Sequence, residues 1–271
     1  MTLKEVVNIF NRSLAHIFVL KKILFFSIFL FISGSILLFS QNFITCSTAW
    51  FKLLIQYVPL YLAIGCTMIG GIFLIRIYDK ELKEKDGQIL KMVLKESDGV
   101  VQVLYLILNL LVIFLLFWLL IGIFLFLKAI PYLGPFFGIF LAFIPFLLNF
   151  GILLLFVVAF LSLFFLTPYL AKSEKFDRFS LQKRLKKNGF LNFLLLGIGS
   201  FPFWITWLFA KQALLMTFDL YVHGATHMTM MLQGFFILVP FTLILTPTLI
   251  FLFHFSYESY LIFIPPHESL S

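Results

Sequence analysis

The sequence predicts an all-α fold, a polytopic transmembrane helical bundle of about six spans, from three observations. Hydrophobic residues make up 62% of the chain and charged residues 12%, against about 25% charged residues in an ordinary soluble domain. The mean hydropathy is +1.09. Long apolar stretches, each enough to cross a hydrocarbon core of about 30 Å, alternate with short polar segments. The predicted spans are residues 23–45, 53–75, 99–127, 146–168, 189–210 and 232–255.

Lysine and arginine alternate strongly along the chain. The N-terminal segment, the successive loops and the C-terminal segment hold 4, 1, 6, 1, 7, 1 and 0 of them, so alternate compartments hold 17 and 3. Positive residues near membrane spans are retained on the cytoplasmic side. We therefore expect one integral membrane domain over residues 1–271, with both its N-terminus and its C-terminus in the cytoplasm.

Two segments are expected to be interfacial amphipathic helices. Residues 2–20 place apolar side chains at helical spacing, and residues 171–188 combine seven lysines and arginines with large apolar residues that include Phe176, Phe179 and Leu185. In the second segment the positive side chains are expected to contact anionic lipid headgroups, and a docking site for a cytoplasmic or membrane protein partner is the alternative. The residues proposed for headgroup contact are Lys183, Arg184, Lys186 and Lys187.

The uncharged stretch 129–171 predicts an irregular helix near Pro145. A straight helix over residues 136–168 would be about 50 Å long, which exceeds the hydrocarbon core, and proline removes one helix hydrogen bond. A half-helix or re-entrant turn at 136–144, followed by the span 146–168, satisfies both constraints and keeps the basic segment 171–188 in the cytoplasm.

A transition-metal site is one interpretation of Asp219, His223 and His227. Their spacing of four and four residues places them on one helical face, and the methionines among residues 228–231 add soft ligands that suit copper. Simple packing at the membrane interface and a substrate gate are the alternatives. No other cofactor is expected.

The predicted spans contain no Asp, Glu, Lys or Arg, although intramembrane ionisable residues usually mark proton relays and ion pathways. This argues against a proton-coupled pump, and no catalytic motif suggests an enzyme. Candidate substrate-binding groups are therefore uncharged: the amides of Asn109 and Asn149, and backbone at an expected break over 197–202. That break contains Gly197, Gly199 and Ser200.

Residues 131–213 resemble two groups of bacterial inner-membrane proteins, the CysZ sulfate-permease group and the YciC-like group of uncharacterised multi-pass proteins. The resemblance implies a bacterial inner-membrane location, paired or broken helices and no enzymatic activity. It is carried by the turn Pro131–Gly134, the pair Pro168-Tyr169, the basic helix Lys183–Lys187, Asn188 and Pro202.

Together these features predict a permease-like carrier of a small solute or anion. A membrane scaffold or assembly factor that does not transport is the alternative, and it would use the basic loops for docking. Membrane lipids are the expected partners. The net charge of +8 reflects topology, and no nucleic-acid interface is predicted because a clustered basic face with groove-reading or base-stacking elements is missing.

Overall fold

The computed structural model describes residues 3–45, 49–83, 98–132, 134–172, 189–221 and 227–262. These residues are almost entirely helical and contain no β-strand, which confirms the predicted all-α bundle. The helices are α1 (Leu3–Ala15), α2 (Leu20–Thr45), α3 (Ala49–Lys83), α4 (Asp98–Lys128), α5 (Gly134–Leu161), α6 (Thr167–Lys172), α7 (Gly189–Tyr221) and α8 (His227–Ile262).

Within the described ranges, five helical stretches are long and apolar enough to cross a membrane. A further predicted span, 99–127, is helical throughout as α4, whose described apolar stretches are the shorter Val100–Asn109 and Leu119–Lys128. The five long stretches are Leu20–Ser40, Tyr57–Leu82, Leu153–Lys172, Gly189–Thr217 and Leu232–Ile262.

The long helices run up and down, so that alternate helix ends meet at one end of the bundle. Lys22 at the start of α2 pairs with Glu81 at the end of α3. Nε of Arg76 donates a 3.2 Å hydrogen bond to the carbonyl oxygen of Ala171 at the end of α6. Tyr78 bonds Glu258 near the end of α8. We call this end of the bundle the cluster end, and both the start of α2 and the end of α8 lie there.

The main core lies beside the second half of α8, where aromatic rings pack against backbone. Gly71 of α3 faces Phe253, and a Cβ atom added at this glycine would lie 2.5 Å from the ring. Gly199 of α7 faces Phe255 in the same way, at 2.6 Å. Small residues let helices approach closely where lipid supplies no hydrophobic drive for association. The two glycines therefore let α3 and α7 pack against α8.

The predicted half-helix or re-entrant turn at 136–144 is wrong, because these residues belong to a longer helix that contains Pro145. Residues 134–161 form one continuous α-helix, followed without interruption by a π-helical stretch at Ser162–Leu166 and by α6. The irregular hydrogen bonding lies at Thr167, whose backbone N–H reaches back to the carbonyl of Ser162. Proline removes one hydrogen bond, but an apolar environment penalises every further unpaired backbone group, so the helix continues through Pro145.

A tight turn connects α4 to α5 in the predicted Pro131–Gly134 segment. Tyr132 has a positive φ of 74°, and the N–H of Gly134 donates a 3.0 Å hydrogen bond to the carbonyl of Ile130. A Cβ atom at Gly134 would lie 2.6 Å from the carbonyl oxygen of Lys128. The close approach explains why glycine occupies this position.

Helix α1 confirms the helix predicted within residues 2–20, and the structure shows that it packs against α8. Phe10 packs against the rings of Phe251 and Phe255 of α8 at centroid distances of 5.1 and 6.5 Å. Val7 and Leu14 stay exposed. One part of the apolar face thus joins the bundle and the other part remains outside it. The second predicted interfacial helix, 171–188, lies outside the described residues beyond Lys172.

Candidate functional site

Glu258 is the centre of a buried ionic cluster where four helices meet. Its side chain is 7% exposed, although it lies on a helix that is otherwise rich in phenylalanine. The Tyr78 hydroxyl of α3 donates a 2.8 Å hydrogen bond to Oε1 of Glu258. A guanidinium nitrogen of Arg12, from α1, lies 3.5 Å from Oε2. A buried charge is stable only when it is paired and hydrogen-bonded, and here the two partners come from different helices.

His254 lies one turn before Glu258 and is fully buried. Its imidazole stacks on the Tyr78 ring with centroids 4.1 Å apart and an angle of 19° between the planes. Neither ring nitrogen has a hydrogen-bond partner among the described residues. Buried polar groups nearly always have partners, so this histidine is an exception, and it lies in a fully buried stretch of α8.

Three further contacts extend the cluster across the helix ends. Lys22 of α2 is 3% exposed; its Nζ pairs with the carboxylate of Glu81 and lies 5.4 Å from the centroid of the Tyr78 ring. The Tyr257 hydroxyl of α8 donates a hydrogen bond to Asp79 of α3. Ionic and hydrogen-bonded contacts therefore connect α1, α2, α3 and α8 at the cluster end.

The sequence did not predict this cluster, because the spans 53–75 and 232–255 ended before its charged residues. Helices α3 and α8 continue to Lys83 and Ile262, which brings Asp79 and Glu258 into the packed bundle. The balance of acidic and basic residues over 76–98 predicts a solvated helix. This is wrong for the first turn of that segment, where Tyr78 is 0% exposed. The four-residue spacing of His254 and Glu258 was a signal that could have revealed the site.

A lateral groove of about 450 Å³ lies between α3, α4, α5 and the π-helical stretch. Met68, one of its lining residues, comes about 15 Å before Tyr78 along α3. The groove is therefore separate from the cluster. Among the described lining residues, the side chains are apolar except for three hydroxyls, those of Tyr57, Tyr61 and Ser162.

Two glycines lie in the groove wall. A Cβ atom at Gly65 of α3 would lie 2.0 Å from the side chain of Ile107 on α4, and one at Gly151 of α5 would lie 2.9 Å from the hydroxyl of Tyr57. Larger residues at either position would displace the neighbouring wall. Apolar side chains with helical spacing look like ordinary lipid-facing residues, so the sequence carried little signal for the groove beyond these glycines.

The structure describes one of the two predicted substrate-binding amides, and it lies outside the groove. Asn109 is half-buried on α4 and is not part of the groove lining. Asn149 lies on α5, and its side chain is outside the described part of the structure. A role for either amide stays a prediction.

The expected backbone break over 197–202 is absent, because α7 is a continuous helix from Gly189 to Tyr221 with Pro202 inside it. Gly199 packs on Phe255, and the Ser200 hydroxyl donates a 3.2 Å hydrogen bond to the carbonyl of Gly197. A Cβ atom at Gly197 would have open space around it. None of the three lines the groove, and their role in substrate binding stays a prediction.

The proposed metal ligands are not tested by the structure. Asp219 lies in the last turn of α7 and His227 begins α8, but neither side chain is described, and His223 lies outside the described residues. In the part of the chain that is described, no group of three potential ligands lies together. The headgroup-contact residues Lys183, Arg184, Lys186 and Lys187 also lie outside it.

The long apolar helices define the class: the chain is a multi-pass α-helical membrane protein. No family model, curated protein or solved structure matches it. The resemblance of residues 131–213 to the CysZ and YciC-like groups stays a prediction.

Proposed function

We propose that this protein is a permease-like carrier, without enzymatic activity, that moves a small solute across a bacterial inner membrane. The proposal includes the orientation expected from the lysine and arginine distribution, with both termini in the cytoplasm. The observation that carries it is the lateral groove between α3, α4 and α5. A carrier needs a solute site inside the bundle, and the groove volume of about 450 Å³ falls within the range of about 300–1,000 Å³ usual for small-molecule sites.

The groove lining favours a weakly polar solute over a small inorganic anion. The lining residues that the structure describes include no lysine, arginine or histidine, and apolar walls cannot replace the hydration shell of a desolvated anion. Tyr57, Tyr61 and Ser162 supply hydroxyls that can donate or accept hydrogen bonds. A small molecule with an apolar body and one or two hydrogen-bonding groups therefore fits best.

A matched pair of substitutions on α5 tests the groove. Val158 lines the groove and Val157 does not, yet their exposed fractions are nearly equal, 50% and 51%. We expect Val158→Trp to fill the groove, whereas Val157→Trp places the same indole against lipid. Both variants should insert and elute from size exclusion as the unaltered protein does.

The readout is native mass spectrometry of protein extracted into nanodiscs of a defined phospholipid. The carrier proposal expects a stoichiometric non-lipid molecule on the unaltered protein and on Val157→Trp, and at least a tenfold lower occupancy on Val158→Trp. Uptake of that molecule into proteoliposomes should fall in parallel. Equal occupancy in both variants would remove the groove as its site. Only phospholipid, or a co-purifying protein lost when the four basic residues at 183–187 are neutralised, would favour the scaffold alternative.

A further inference from the structure

The lateral groove is closed by packed side chains toward its outer end, the end opposite the cluster end. The three helices that form the groove all contribute to this packing, with side chains that are at most 9% exposed. They are Tyr57 of α3, Ile121 of α4, and Leu141, Ile144 and Leu155 of α5. We call this group the outer plug. It separates the groove from the water at that end of the bundle.

A second group of buried side chains closes the groove toward the cluster end. It consists of Met68 and Ile72 of α3, Val103 of α4, and Tyr169 and Leu170 of α6, each at most 6% exposed. We call this group the inner plug. Protein interiors are close-packed, with few voids larger than a water molecule. Neither end of the groove therefore offers water an open route through the described residues.

The open side of the groove faces sideways, at the surface of α5. Leu154 and Val158 line the groove there, and they are 52% and 50% exposed. Both belong to the membrane-spanning stretch Leu153–Lys172, so their exposed surfaces lie against hydrocarbon. The groove therefore opens to the bilayer, whereas its two ends are closed.

The polar groups of the lining are hydroxyls at two depths. Tyr57 and Tyr61 lie one turn apart on α3, and the Tyr57 hydroxyl reaches across to Gly151 of α5. Ser162 lies about 16 Å further along the helix that contains Gly151. Hydroxyls donate and accept hydrogen bonds, and the described lining carries no formal charge. A charged molecule would lose its hydration in the hydrocarbon and again in the groove.

We propose that the groove takes its solute from the bilayer, and that this solute is an uncharged amphiphile with a hydroxyl or carbonyl group on an apolar body. The inference rests on the proposed carrier function, since it names the class of solute and its route to the same site. The solute passes from hydrocarbon over Leu154 and Val158 into the groove. The hydroxyls of Tyr57 and Tyr61 bind its polar group, and the apolar walls hold the rest of the molecule.

The test is photolabelling in nanodiscs of phosphatidylcholine with two probes that share one chain. The first is octanol carrying a diazirine, and the second is octyl sulfate carrying the same diazirine. Peptide mass spectrometry locates the labelled residues. We expect octanol to label the groove lining saturably and unlabelled octanol to displace it, with at least tenfold weaker labelling by the sulfate. Phe193 of α7, 74% exposed, reports labelling directly from the bilayer, which should not saturate.

Two matched pairs of substitutions identify the site. Val158→Trp fills the groove and should lower octanol labelling of the lining at least tenfold, whereas Val157→Trp should label as the unaltered protein does. Tyr61→Phe removes one hydroxyl and should lower the affinity for octanol about fivefold, the usual effect of one lost hydrogen bond. Tyr105→Phe, on the exposed surface of α4, should have no effect.

The inference is overturned if octyl sulfate labels the groove as strongly as octanol, or if water-soluble hexanediol displaces the label as well as octanol does. It is also overturned if Val158→Trp retains full labelling of the lining. Circular dichroism checks that the helices of each variant are intact. Should Val158→Trp fail this check, Leu154→Trp replaces it, with Leu153→Trp as its control because Leu153 does not line the groove.

Failure of the carrier function gives a different result. Saturable octanol labelling in a protein that moves no solute into proteoliposomes would retain the groove and its class of ligand but remove transport. A charged, water-soluble molecule that is bound to the unaltered protein and lost from Val158→Trp would retain the carrier and overturn the route from the bilayer.

Discussion

Tyr78 on α3 donates a 2.8 Å hydrogen bond to Glu258 on α8, joining residues separated by 180 positions in the chain. The same tyrosine ring stacks on His254 and lies beneath the ammonium group of Lys22. One side chain thus contacts the carboxylate, the imidazole and an ammonium group. This explains how three charged or polar groups are accommodated where lipid-facing helices converge.

Tyr78→Phe should lower the free energy of unfolding by about 1–2 kcal/mol, because the Glu258 carboxylate loses a buried donor. The matched control is Tyr105→Phe on α4, where the ring is 63% exposed and the change should be near zero. The measurement is unfolding by sodium dodecyl sulfate in mixed micelles, followed by circular dichroism. Equal effects of the two substitutions would show that the hydroxyl of Tyr78 adds no stability.

Gly71→Ala should destabilise the bundle by about 1–3 kcal/mol, the usual cost of overpacking. The new methyl group would lie 2.5 Å from the ring of Phe253, which is fully buried and has little room to move. Gly122→Ala on α4 is the control, since a Cβ atom there meets nothing within 4 Å, and its better helix propensity should add up to about 1 kcal/mol. The same unfolding assay compares them, and a tolerated Gly71→Ala would contradict the close packing of α3 on α8.

Tyr132→Cys should react with a membrane-impermeant maleimide added to intact cells, in a background with Cys46→Ser and Cys66→Ser. Tyr132 is 99% exposed and lies at the end of the bundle opposite the cluster end. The charge pattern places the cluster end in the cytoplasm, so Tyr132 should face the other side of the membrane. Lys21→Cys, exposed at the cluster end, should react only after the cells are permeabilised. The reverse labelling pattern would invert the proposed topology.

The metal interpretation of Asp219, His223 and His227 predicts a bound ion that depends on the two histidines. Elemental analysis of purified protein exposed to equimolar copper should find about one ion per chain. His223→Ala with His227→Ala should lose at least 90% of it, whereas His16→Ala, at the cluster end, should retain it. Unchanged metal content in the double variant would exclude these residues as metal ligands and favour simple packing at the membrane interface.

Hydropathy and charge predicted the approximate positions of the long helices because these depend on local composition. A segment that can satisfy its backbone only internally must be helical in lipid, whatever its neighbours are. The apolar stretch that became α2 illustrates this: the prediction began at 23 and the helix begins at Leu20. The ends of α3 and α8 were placed too early, because a charged residue was taken to mark the end of the hydrocarbon region.

Pro145 and Pro202 illustrate what the sequence alone could not decide. Each was expected to interrupt a helix, yet α5 and α7 run through them, and the irregular stretch occurs at Ser162–Leu166, just before Pro168. Proline removes one known hydrogen bond, but whether the helix bends, breaks or continues depends on the packing of its neighbours. That packing involves residues far away in the chain.

The sequence by itself determined that this is a polytopic helical membrane protein, and its lysines and arginines predict which loops face the cytoplasm. Tertiary structure alone decided that Asp79, Glu81 and Glu258 are members of one cluster with Arg12 and Lys22, and that a groove opens between α3, α4 and α5. The physical reason is the separation along the chain over which each interaction acts. Helix formation in lipid follows from local hydrophobicity. A buried carboxylate needs partners from other helices, and only the packed bundle specifies their positions.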